Sequence, residues 1–154
     1  MKIEKMFENI FKIQYRRILK LRTQIYVEYP RLYSVMGFVS VVFTEKVKTF
    51  GVMRKLGGNF VLFINLRFTE SIESDKVLKG ILMHEMLHII LDHVSIRCPN
   101  DNDMIIETGK IGIEEYEKAI LWNWATDCAI NQMLEYYLVD DKGQKQGLRP
   151  SDFN

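Results

Sequence analysis

Apolar positions at Ile3, Phe7, Ile10, Ile18, Leu21 and Ile25 recur at spacings of three, four and seven. That periodicity predicts one long amphipathic helix over about residues 2–28, with a single buried stripe and Pro30 at or just beyond its end. The pattern then changes period. Gly37–Phe43 (GFVSVVF), Val47–Met53 (VKTFGVM) and Asn59–Leu66 (NFVLFINL) are short and rich in β-branched and aromatic residues, as strands are. The turn signal Leu56-Gly57-Gly58-Asn59 between the second and third predicts a hairpin. From Val77 to Leu91 apolar side chains cover nearly the whole circumference of a helix, which predicts burial, with Ser71, Ser74 and Asp75 as N-cap candidates. Pro99–Asp103 and Thr108–Lys110 mark a loop of the length that usually carries function. A second long helical pattern follows from about Ile113 to Leu138, and the turn-rich end from about 140 to 154 predicts a loosely ordered tail or linker.

The buried helical run contains the chemistry. It reads HEMLH, and the three histidines of the chain, His84, His88 and His93, fall within ten consecutive residues. On a helix His84 and His88 are about 40° apart around the axis, so both imidazoles reach one metal ion, and Glu85 lies about 100° from His84, beside the open coordination position. Two neutral nitrogen ligands and a carboxylate able to take a proton from the activated water are what a metal-assisted hydrolase needs. The bland alternative is a chance match on a core helix. It requires two histidines and a glutamate to be buried with nothing to bind, at a cost of several kcal/mol.

A third ligand comes from the second helical pattern. Asn123, Asp127, Asn131 and Glu135 recur every four residues and form one polar stripe among Leu121, Trp124, Ala125, Ile130 and Leu134. A solvated outer face is the plain explanation, but the aromatic and small neighbours predict that at least Asp127 is buried and needs a cation. His93 is the alternative. On an unbroken helix it points about 180° from His84, and Ile89, Ile90 and Leu91 offer no glycine for a turn. Asp127 is therefore ranked before His93 and Cys128 last, with Asn131 as the residue that orients Asp127 or an imidazole.

Composition narrows the class without naming it. At 154 residues, 47% apolar and 27% charged, the chain reads as one globular domain. A net charge of +1 gives no support to nucleic acid or anionic membrane as a partner. The N-terminus is too charged for a signal peptide, and no apolar run is long enough to span a bilayer. Cys98 and Cys128 form no CxxC pair, so reduced thiols and a cytoplasmic location are expected.

Three segments in order, FGVMRKLGGNFVLFINLRF, LKGILMHEMLHIILDHVSIR and WNWATDCAINQML, make roughly Thr49 to Asn131 resemble a family of metal-dependent peptidases whose N-terminal domain usually precedes a von Willebrand A-like domain. The last segment discriminates most, because many unrelated zincins share HExxH. The resemblance implies zinc, peptidase activity on a peptide or protein substrate, and a zincin-like α+β fold. In that fold a small, mostly antiparallel sheet, with Phe60–Asn65 as the substrate-binding edge strand beside the motif helix, packs on the HExxH helix and a second ligand-bearing helix. The sequence stops near LRPSDFN, where the family goes on into its second domain, so it reads as a fragment or as a compact version of the kind a phage or mobile element encodes. A metal-stabilised module without catalysis and hydrolysis of a non-peptide bond are the competing functions; the intact Glu85 argues against the first.

Overall fold

The structure, a computed structural model, describes residues 2–55, 57–94 and 113–145; of the side chains of 2–7, 33 and 113–116 nothing is said. The long loop, Arg97, Cys98 and the last nine residues anticipated from the sequence lie outside the described residues. No helix among the described residues is long and apolar enough to cross a membrane.

Helix α1 (Lys2–Glu28) presents Ile18, Leu21 and Ile25 to the core, each at most 1% exposed. Pro30 ends α1 and also starts a second short helix, α2 (Pro30–Met36), because its fixed φ and missing N–H suit the first helical position. Three strands follow, β1 (Val39–Phe43), β2 (Phe50–Arg54) and β3 (Phe60–Ile64). The hairpin expected between the last two is present, with β2 antiparallel to β3 and Gly57 and Gly58 at positive φ in the turn. Strand order is β1-β3-β2, and β1 pairs parallel to β3. The sheet is thus mixed, not mostly antiparallel, within an α+β fold.

That order corrects a second expectation. β3 is the central strand, paired on both sides, so Phe60–Asn65 offers no edge to a ligand; β1 and β2 are the two edges, and β2 is the one that packs against the motif helix. Asn65 fixes the arrangement. Its Nδ2 donates to the Val47 carbonyl at 2.6 Å, tying the β1–β2 connection across the end of β3. Its Oδ1 accepts from Phe68 N at 3.1 Å and caps α3 (Leu66–Ser71), a short helix where the sequence pattern had suggested that strand continued to Leu66.

Helix α4 (Asp75–Ile90) carries HEMLH and starts at Ser74, whose side chain accepts from Val77 N at 3.4 Å. Arg17 on α1 binds Asp75 at 2.7 Å and the carbonyls of Thr69 and Glu73, so α1 is fastened to the start of α4. One face of the sheet, including Val39, Phe50, Leu62 and Ile64, packs with Leu78, Leu82 and Met86 of α4 into the core. Helix α5 (Ile113–Met133) closes that core with Ile130, and Leu134 and Leu138 in the turns beyond it complete the seal. The expected loose end starts with order: Asp140 N donates to the Gln144 carbonyl, and Val139 bridges Lys145.

Candidate metal centre

α4 and α5 bring His84, His88 and Asp127 to one point. His84 Nε2 and His88 Nε2 are 2.9 Å apart, and Asp127 Oδ1 lies 3.4 Å from the first and 3.0 Å from the second. The i, i+4 spacing aligns the imidazoles on one face of α4, and Asp127 arrives from the facing helix. Two imidazole nitrogens and a carboxylate oxygen are a donor set for a transition metal. Three ligands of a tetrahedral ion with bonds of about 2.0–2.1 Å are separated by about 3.3 Å, so this triangle fits. Cys128, beside Asp127 in sequence, is buried and not in the group.

Each imidazole has a partner on its far nitrogen. His84 Nδ1 lies 2.8 Å from Asn131 Oδ1, which accepts its proton and leaves the Nε2 lone pair aimed at the cluster; Asn131 is 2% exposed. His88 Nδ1 lies 3.3 Å from His93 Nδ1. His93 was expected to face away on an unbroken helix. α4 in fact stops at Ile90 and the chain reverses at Asp92, whose φ of 59° lies in the left-handed region. Asp tolerates that region better than most residues, so no glycine was needed.

The electrostatics follow from burial and proximity. Burial works against charge on His84, but the hydrogen bond it donates to the Asp127 carboxylate and the Glu85 charge outweigh it and its pKa is raised. Burial likewise disfavours the Asp127 carboxylate, yet the bonds from His84 and His88 prevail and bring its pKa down to about 2. Asp127 is half-buried, not fully buried as anticipated, because it faces an open cleft. Glu85 is buried and its pKa is raised, by desolvation first and by the Asp127 charge, against the pull of both histidines and of a hydrogen bond from the Val52 backbone.

The cleft over this cluster has a volume of about 560 Å³. Its lining includes Gly51 and Val52 of β2, Asn123, Asp127 and Asn131 of α5, and the apolar side chains of Phe68 and Ile81. Three members of the polar stripe thus face the cleft, whereas Glu135 is exposed and pairs with Lys145 at 3.9 Å. Sequence reasoning missed β2 as a wall and Trp122 as a support of His93. The glycine inside a strand was the available signal for the first, since it often marks close approach of another group. No family model, curated protein or solved structure matches the chain.

Proposed function

We propose that the chain is a zinc-dependent peptidase with a zincin-like arrangement. The observation that carries this reading is a buried glutamate, Glu85, adjoining a His84–His88–Asp127 donor triangle in a cleft walled by an edge strand. His84 Nε2, His88 Nε2 and Asp127 Oδ1 would hold the ion. Zinc held there lowers the pKa of water and polarises a carbonyl oxygen.

The protein's own groups supply the rest. Glu85, its pKa raised by burial, accepts the proton of the attacking water and returns it to the leaving amine nitrogen. The Val52 N–H holds the Glu85 carboxylate while it does so. Asn65 N bonds Thr49 O and Lys55 N bonds Asn59 O, so the odd-numbered residues of β2 face β3. Phe50, Val52 and Arg54 therefore turn their backbone groups away from β3, and an extended peptide binds along that edge by strand addition. The apolar lining contributed by Phe68 and Ile81 receives one of its side chains.

The test is incubation of the zinc-loaded protein with a denatured-proteome peptide library, read by mass spectrometry. Reproducible cleavage is expected that a chelator abolishes and that Glu85→Gln lacks while keeping its zinc, since an amide cannot take the proton. Activity in Glu85→Gln removes the general base. Peptide capture without cleavage selects the non-catalytic binding module instead.

A further inference from the structure

The end of α4 has a defined hydrogen-bond pattern. Leu91 N donates to Leu87 O at 2.9 Å, Asp92 N to Ile89 O at 3.0 Å and His93 N to His88 O at 2.8 Å. With Asp92 left-handed at φ 59°, this is a Schellman termination in which His88 is third from the helix end and His93 follows the left-handed residue. Such a termination folds the latter residue back onto the former, usually in an apolar contact. Here both are imidazoles, with ring centroids 5.3 Å apart and planes at 73°. Helix α5 holds the returning residue from outside: Trp122 Nε1 donates to the His93 carbonyl at 3.1 Å, and the Trp122 and His93 rings meet edge to face at 5.9 Å.

The proton positions follow. His88 Nε2 points at Asp127 and His84, so as a metal ligand it must carry the lone pair there and the proton on Nδ1. His93 Nδ1, 3.3 Å away, is then an acceptor, and His93 carries its own proton on Nε2. We propose that His93 is a positioning residue: it accepts the His88 Nδ1–H and fixes the tautomer and orientation of that ligand. The spacing of five between the two histidines is set by the helix-ending motif. His93 thus does for His88 what Asn131 does for His84. This inference rests on His84, His88 and Asp127 being metal ligands.

The test measures zinc and cobalt(II) affinity by competition with a chromophoric chelator in the wild type, His93→Phe and His93→Asn. His93→Phe keeps a flat ring but no acceptor, and should weaken both metals by about 10–100-fold. His93→Asn offers Oδ1 near the place of Nδ1 and should restore affinity to near the wild type. The cobalt spectrum at saturation should be the same in all three, because His93 is not itself a ligand. Equal affinity in His93→Phe, failure of rescue by His93→Asn, or a changed cobalt spectrum overturns the proposal. If His93→Phe does not fold, imidazole ¹⁵N shifts of the zinc-loaded wild type decide: His88 protonated on Nδ1 and His93 on Nε2 support it, and a proton on His93 Nδ1 overturns it. A wild type that binds neither metal removes the metal-centre reading and this proposal with it, an outcome distinct from equal binding by His93→Phe.

Discussion

At the scale of single residues, Asp127 and His93 sit on opposite sides of one ligand and should be separable by the size of their effects. Asp127 points its carboxylate at both imidazoles, and its pKa of about 2 keeps it a charged acceptor over the whole neutral range. Asp127→Asn preserves the shape and removes the charge. Zinc affinity is expected to fall by more than about 100-fold, beyond the range for loss of an outer partner. Competition titration checks this, and a loss of only a few-fold would exclude Asp127 from the donors. The pairing of His84 with His88 was legible because 3.6 residues per turn sets it without tertiary information. Asp127 was legible more indirectly, as a carboxylate in a four-residue stripe of a largely apolar helix. His93 was not, because on a continuous helix it faces away from His88 and only the end of α4 at Ile90 brings it back. Where that helix ends depends on a left-handed aspartate, and Asp is only permissive of that conformation, whereas Gly would have announced it.

At the scale of elements, the sequence specified helices and strands more clearly than their neighbours. Short runs rich in β-branched and aromatic residues identify β1, β2 and β3, and the Gly57-Gly58 turn identifies one pairing. Nothing in that pattern says on which side of the hairpin β1 docks. The pairing of β1 with the far side of β3 leaves β2 at one edge, and Asn65 secures the connection between them by tying Val47 across the end of β3. Gly80 makes the corresponding contact between α4 and the turns beyond α5. A Cβ there would stand 2.6 Å from Tyr137 Cβ and 3.3 Å from the Tyr137 carbonyl carbon, so the glycine permits the close approach that buries Leu138. Gly80→Ala gains about 1 kcal/mol of intrinsic helix propensity. Overpacking against backbone should outweigh it and leave a net loss of up to about 2 kcal/mol. A lowered urea midpoint with unchanged slope is the expected result, and a raised midpoint would show that the turn yields without cost.

At the scale of the molecule, the cleft lies where separately held parts meet. α4 belongs to the core with α1, α2 and the sheet, while the Asp127 segment of α5 adjoins it at the metal cluster, and Ile130, Leu134 and Leu138 provide the apolar seal. An ion bound by His84, His88 and Asp127 therefore crosslinks two helices distant in sequence, and its binding energy becomes folding energy. Free zinc at about a thousand times its dissociation constant should stabilise the folded domain by about 4 kcal/mol. For a chain of 154 residues that corresponds to a rise in unfolding temperature of roughly 8–16 °C. The metal-free domain retains the apolar seal and the close polar contacts of Asp127 with His84 and His88, so it should stay folded at room temperature with its α5 amides less protected from exchange than those of α4. Calorimetry and hydrogen exchange with zinc and with chelator check both parts. Identical unfolding temperatures would mean that the His–His–Asp triangle holds no ion in the folded protein, and a loss of protection spread evenly over α1, α4 and α5 would mean that the ion stabilises the domain without specifically fastening α5.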